Sequence, residues 1–394
     1  MEKRASYLER FELPVFILLL FMPDFVFLPS LVLFVIYWLY DYIKNHKFKW
    51  SFLWLFLAYA FVIAVNANNT QGIITVVYVF MLYVMITHFR RIMTPSRYNL
   101  MQYHITVASI INFFFNFVNM NPEWAKPVTD ILDTIIARGH LPQFRDGYYR
   151  AYSTFDNPNL YAFILLLVLL IIFNQIELQI AFKRYKEAAF YMGAFMINSY
   201  ALLLTQTRSI LLALALGIII ILVAQERWTQ LKLLVFIGSL VAIFILVNPD
   251  LFPRFMELEN HAPIRYHIWD DAIAQIRVNP FFGEGFFTYA LHFNYSDAHN
   301  IFLDTLINFG LFGSIIGGAY LIEIVYRYTR DAHPLDMPLA LGILSATLVY
   351  SIFDIAIYAV QTSILLALVF IIPIRQTPGP NITKEIVDAH HEKL

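Results

Sequence analysis

The 394-residue chain is 59% hydrophobic and 17% aromatic but only 14% charged, with a mean hydropathy of +0.62, whereas soluble domains carry roughly a quarter charged residues. Its net charge of −1 offers nucleic acid no general field. It has no cysteine, which excludes disulfides, thiolate metal sites and cysteine nucleophiles.

The composition predicts an all-α, polytopic membrane protein, with 1–394 as a single integral membrane domain. Basic residues Lys3, Arg4 and Arg10 precede the first apolar run, and no small-residue cleavage site follows Leu20. That pattern predicts a retained span rather than a removed leader. Apolar runs of roughly 17 to 25 residues mark further helices long enough to cross a bilayer. In chain order they fall at 12–27, 29–43, 51–65, 72–88, 100–118, 159–175, 188–204, 209–224, 232–247, 299–325, 338–353 and 356–373, about twelve transmembrane helices in all. Pro23, Asp24 and Pro29 interrupt the first stretch, which can be one span or a hairpin of two.

Charge chooses the hairpin. With it, Lys44, Lys47, Lys49, Arg90, Arg91, Arg97, Lys183, Arg184, Lys186, Arg227, Lys232, Arg327 and Arg330 join both termini on the cytoplasmic side. The outer side keeps Lys126, Arg138, Arg145, Arg150, Arg208, Arg254, Arg265 and Arg277. That outer set is almost purely arginine, as suits bidentate anion binding more than topology. Two outer segments are too long for turns, 119–158 and 248–298. The first ends in Phe155-Asp156-Asn157-Pro158-Asn159, where Asn-Pro breaks the chain before a span. The second, between helices 9 and 10, holds its own amphipathic helix, predicted to start at Pro263 and end at Asn279-Pro280.

Three positions could carry chemistry. Arg208 follows Thr205, Gln206 and Thr207 and precedes Ser209, between two apolar helices. An arginine there either snorkels at the interface or lines a cavity, and its hydroxyl and amide neighbours suit phosphate or sugar oxygens. Arg265 is predicted in the first turn of the loop helix, where free N–H groups favour an anion. Trp269, four residues on, shares its face and can support the arginine or offer a ring to a sugar. His299 opens a span directly from the second outer segment, and a neutral imidazole there can act as general base; Ser296 or Asp297 is the predicted helix cap. An interfacial histidine satisfied by water is the plainer alternative. Gly310, Gly313 and Gly317 have the spacing of close helix packing. No paired-acid metal motif and no nucleotide-binding glycine pattern occurs, so neither metal nor cofactor is expected.

The combination resembles a known family. Arg265 to Trp269, Asn279-Pro280-Phe281-Phe282-Gly283-Glu284-Gly285, Ala298-His299-Asn300-Ile301-Phe302-Leu303 and Gly310-Leu311-Phe312-Gly313 are similar to the core of the O-antigen ligase and polysaccharide polymerase superfamily. Phe155 to Asn159 and Thr207-Arg208-Ser209 are similar to two further positions of it. The resemblance implies a type C glycosyltransferase-like fold in the bacterial inner membrane, with its active site outward. It implies an undecaprenyl-diphosphate-linked glycan as donor and an acceptor glycan or glycolipid. Arg208 and Arg265 would bind the diphosphate and His299 would deprotonate the acceptor hydroxyl, in an inverting, metal-independent transfer. Trp269, Asn300, Thr207 and Gln206 complete the implied substrate-binding set. Polymerisation of surface polysaccharide is the favoured role, and ligation to lipid A core is the alternative. A transporter or flippase would share the topology, but the two halves show no internal symmetry and few ionisable residues fall mid-span.

Overall fold

The computed structural model describes residues 7–46, 49–120, 123, 144–145, 148–248, 258–331 and 336–371. Parts of both expected outer segments, 121–122, 124–143, 146–147 and 249–257, lie outside these residues, as does the tail from 372. Lys126, Arg138 and Arg254 are therefore not placed.

Helices account for nearly every described residue: α1 (Tyr7–Leu20), α2 (Asp24–Asn45), α3 (Phe52–Asn66), α4 (Thr70–Ile92), α5 (Pro95–Phe113), α6 (Phe115–Met120), α7 (Pro158–Ala181), α8 (Tyr185–Thr205), α9 (Arg208–Ala224), α10 (Trp228–Val247), α11 (Leu258–Val278), α12 (Thr288–His292), α13 (Ile301–Asp331), α14 (Met337–Ser351) and α15 (Val360–Val369). A two-residue antiparallel ladder pairs Phe144–Arg145 with Tyr148–Tyr149. Every expected span contains a helix. Five, namely α2, α4, α7, α8 and the Ile301–Tyr328 part of α13, are long and apolar enough to cross a membrane by length and composition. Shorter apolar helices such as Arg208–Ala224 and Met337–Ser351 stand among them. On α2, Val32, Leu33, Ile36 and Ile43 are exposed, an apolar face with the character of a lipid contact.

Local sequence explains the ends. Ser51, Asn69 and Thr94 accept backbone N–H bonds at the starts of α3, α4 and α5, supplying partners that a first turn otherwise lacks. Asn157 caps α7 by accepting from Asn159 N at 2.8 Å and Leu160 N at 3.0 Å, with Pro158 in the first helical position. α7 is apolar on all sides, and its central run from Tyr161 to Ile172 is buried throughout, as a helix at the middle of a bundle must be. α8 packs along it, and α9 runs against α14. At that crossing a Cβ on Gly342 would meet the Gly217 carbonyl at 2.8 Å.

Two boundaries depart from expectation. The hairpin exists, but its turn is 21–23, and Pro29 lies inside α2. Pro23 is extended, with ψ 151°, and the Asp24 carboxylate opens the helix, which favours a start there. The loop helix α11 begins at Leu258, ahead of Pro263. Arg265 consequently lies beyond its second turn, out of reach of the helix-start effect, which fades within the first turn.

The turns sort into two ends. At one, Asn112 and Thr154 donate to Phe21 O (3.0 and 2.8 Å), Gln361 donates to Leu20 O (3.0 Å), Asn69 donates to Glu284 O (3.0 Å) and Ala151 N donates to Leu204 O (3.0 Å). At the other, Ser51 donates to Glu323 (2.8 Å), and a buried cluster ties α1, α2 and α4. There His88 bridges Glu12 (2.9 Å) and Asp41 (2.8 Å), Arg91 meets Asp41 (2.7 Å), and the Trp38 indole donates to Glu12 (2.7 Å).

Candidate active site

His299 stands at the first of these ends, just ahead of α13. Its φ is +49°, a left-handed conformation that a non-glycine residue seldom holds without support. Two carboxylates provide the support: Asp297 accepts from His299 N at 2.8 Å, and Asp304 accepts from Ala298 N at 3.1 Å. The expected cap role passes to Asn300, whose Oδ1 accepts from Phe302 N (3.0 Å) and Leu303 N (3.2 Å). Asp297 is freed for the imidazole.

His299 Nδ1 lies 3.2 Å from Asp297 Oδ1 and 3.6 Å from Asp354 Oδ1, in ion-pair range of both without an aligned hydrogen bond to either. Burial alone would lower the histidine's pKa, but contact with the two carboxylates outweighs it and pushes it up to about 10. Burial would likewise raise Asp297, yet the neighbouring His299 holds it below the ordinary carboxylate value. A pKa raised that far keeps the ring protonated at neutral pH, where a neutral imidazole was expected.

Asp354 comes from the turn between α14 and α15 and gathers the site. Its Oδ2 accepts from Asn159 Nδ2 at 2.6 Å and lies 3.4 Å from the Tyr350 hydroxyl. Asn159 Oδ1 in turn accepts from Arg150 Nη2 (2.9 Å) and from the Thr207 hydroxyl (3.2 Å). Arg150, only 6% exposed, also donates to Thr205 O at 2.9 Å and Thr207 Oγ1 at 3.1 Å. Four separate stretches of chain are thus joined by one run of polar contacts.

The expected residues divide around this turn. Arg265 is half-buried, with its guanidinium 5.9 Å from the centroid of the Phe353 ring. Asn300 donates to Ile352 O at 3.3 Å, so both ends of its amide are engaged and its observed work is positioning. Arg208 is half-buried and is the first residue of α9; the helix-start environment foreseen for Arg265 belongs to it instead. Thr207 is buried in the Arg150 network, and Gln206 is left-handed (φ +53°) at the end of α8. Trp269 packs against the cluster of Ile268, Ala272, Tyr289, Ala298 and Ile307, beneath His299's own loop. Arg150, Asn159 and Asp354 were not among the expected site residues, although Asn159 closes the family-like Phe155 to Asn159 string. An acid between two apolar runs was the available signal for Asp354, and Arg150 was already in the outer arginine set.

Glycines shape the loop that leads to the histidine. Gly310 (φ 59°, ψ −168°) breaks α13, leaving Leu311 N to donate to Pro280 O (2.9 Å) and Phe312 N to Phe281 O (3.1 Å). The Asn308 carbonyl accepts from Glu284 N (3.1 Å) and Gly285 N (2.7 Å). A Cβ on Gly283 or Gly310 would strike the opposing backbone. Gly313 and Gly317 face Tyr59 and Phe56 of α3, the close packing expected of them. Among the described residues no three His, Asp or Glu side chains are arranged to hold a metal ion.

Residues 193–316 match the family model described as O-antigen ligase, and no curated protein matches the chain. The matched stretch contains Arg208, Arg265, His299 and the glycine loop; Arg150, Asn159 and Asp354 lie outside it. The match supports the O-antigen ligase and polymerase superfamily, and with it a membrane protein that transfers glycan in polysaccharide or O-antigen assembly.

Proposed function

We propose that this protein moves a glycan from undecaprenyl diphosphate to an acceptor hydroxyl on the outer face of the bacterial inner membrane, polymerising surface polysaccharide repeats. The observation that carries the reading is the pairing of His299 with Asp297 and Asp354 at the end of the bundle where Arg208 and Arg265 also lie. The acceptor oxygen attacks the anomeric carbon, the bond from that carbon to the diphosphate oxygen breaks, and the electron pair leaves on the diphosphate. Fixed guanidinium groups at Arg208 and Arg265 stabilise that charge as it develops. The α9 start adds backbone N–H groups beside Arg208. The acceptor proton passes to the His299 cluster, so the ring must first give up the proton that its two carboxylates hold there. Attack from the face opposite the diphosphate inverts the anomeric centre.

Orientation follows from charge. The end opposite the site carries Lys44, Lys49, Arg90, Arg91, Arg97, Lys183, Arg184 and Arg227, which supports a cytoplasmic location for it and for both termini. Ligation to lipid A core is the second reading, favoured by the description of the matched family.

The test uses membranes containing the protein and lipid-linked repeat extracted from cells that lack it. A ladder of products supports polymerase, and a single addition to rough lipopolysaccharide supports ligase. His299→Ala is expected to lower either product by about 10²- to 10⁴-fold while the protein still inserts and folds. Wild-type transfer by that variant would sink the mechanism.

A further inference from the structure

The Asn159 amide is polarised from both sides. Its oxygen accepts from Arg150 and its nitrogen donates to Asp354. Arginine has only donors, so it accepts nothing from an amide nitrogen and turns the amide oxygen toward itself. The amide nitrogen is thereby presented to Asp354. The Thr207 hydroxyl also donates to the amide oxygen, and the carboxylate itself selects the amide nitrogen, so the amide is fixed from opposite sides. The carboxylate is itself divided: Oδ2 meets Asn159, and Oδ1 faces His299 while accepting from Ile355 N at 2.9 Å. The same guanidinium holds Thr205 O and Thr207 Oγ1, the two residues flanking Gln206 in the turn before Arg208.

We propose that Arg150 is a positioning residue for glycan transfer: through Asn159 it holds Asp354 against His299, and through Thr205 and Thr207 it holds the turn that presents Arg208. One buried cation thereby keeps the acceptor-side base and the donor-side arginine in register, acting on each through other residues. The inference rests on the roles given above to His299 and Arg208. It adds that the two halves of the site share one internal support, lying outside the stretch matched by the family.

Two variants separate the arms. Asn159→Ala cuts the link to Asp354 and leaves Arg150 with Thr205 and Thr207. Arg150→Lys keeps the charge but cannot make three bonds in a fork. Both are assayed in proteoliposomes with the lipid-linked repeat extracted from cells lacking the protein, and binding is measured with undecaprenyl diphosphate itself. Asn159→Ala is expected to lower kcat by about tenfold or more, with donor KM and undecaprenyl diphosphate affinity within about twofold of wild type. Arg150→Lys is expected to lower kcat and weaken undecaprenyl diphosphate binding together. In an Asp354→Asn background, Asn159→Ala should add less than about a further twofold, because its target has already gone. A full additional loss there, or an Asn159→Ala variant that raises KM with kcat intact, overturns the proposal. Either variant alone decides its own arm should the other fail to fold. If His299→Ala retains transfer, the catalytic reading falls and this inference with it. If His299→Ala is dead while the double variant is additive, only the inference falls.

Discussion

At the scale of single residues, His299 combines an unfavourable backbone with a strongly paired side chain. A left-handed non-glycine residue costs of order 1 to 3 kcal/mol and persists where its surroundings impose it. Here they do, through Asp297 and Asp304. The ion pairs set the pH behaviour. Because the folded pKa is raised from 6.5 to about 10, their contribution to stability is complete below 6.5 and is lost as pH rises through about 10. If His299 must shed this proton to act as base, kcat/KM climbs with pH toward about 10. Asp354→Asn removes one of the carboxylates that raise the pKa, so the climb should move to lower pH, as should the imidazole titration followed by NMR. An unmoved titration would mean that Asp354 does not act on the ring. Arg208 and His299 were legible as polar groups at the ends of apolar runs, and Arg265 as an arginine of the amphipathic loop helix. Their partners were not, since Asp354 and Asn159 are 195 positions apart and spacing encodes no such pairing.

At the scale of elements, the interruption of α13 at Gly310 is the feature on which the site's loop depends. The conformation with φ 59° and ψ −168° belongs to a region essentially reserved for glycine. Gly310→Ala should cost at least about 1 to 3 kcal/mol before the collision with the Phe281 backbone is counted. It should lower the Tm of the purified protein and reduce transfer together; an unchanged Tm would show that the helix can close over the break. The three glycines read as simple packing positions thus have two uses, a backbone break at Gly310 and close approach to α3 at Gly313 and Gly317. At the far end, His88 separates the Glu12 and Asp41 carboxylates inside the bundle. His88→Ala should destabilise by about 3 to 5 kcal/mol, because it leaves the buried Glu12 carboxylate without its ion-pair partner, while Asp41 keeps Arg91. Thermal unfolding in detergent measures the loss, and a Tm equal to wild type would deny the cluster a structural role.

At the scale of the whole molecule, the proposed orientation can be read directly, because the chain contains no cysteine. Ser296 and Lys186 are exposed at opposite ends of the bundle. A cysteine at 296 should react with an impermeant maleimide in intact spheroplasts, and one at 186 only after permeabilisation. The reverse pattern would invert the topology and move the site to the cytoplasmic side. The sequence by itself determined the membrane class and the all-helical architecture, since apolar length is a local quantity that a bilayer reads segment by segment. It also singled out Arg208, Arg265 and His299, because polar residues stand out against an apolar background. Only the tertiary structure decided that α11 starts before Arg265, that Arg208 heads its own helix, and that Asp354, Asn159 and Arg150 converge behind His299. Those outcomes depend on which helix ends pack together, and a buried polar group finds its partner in space.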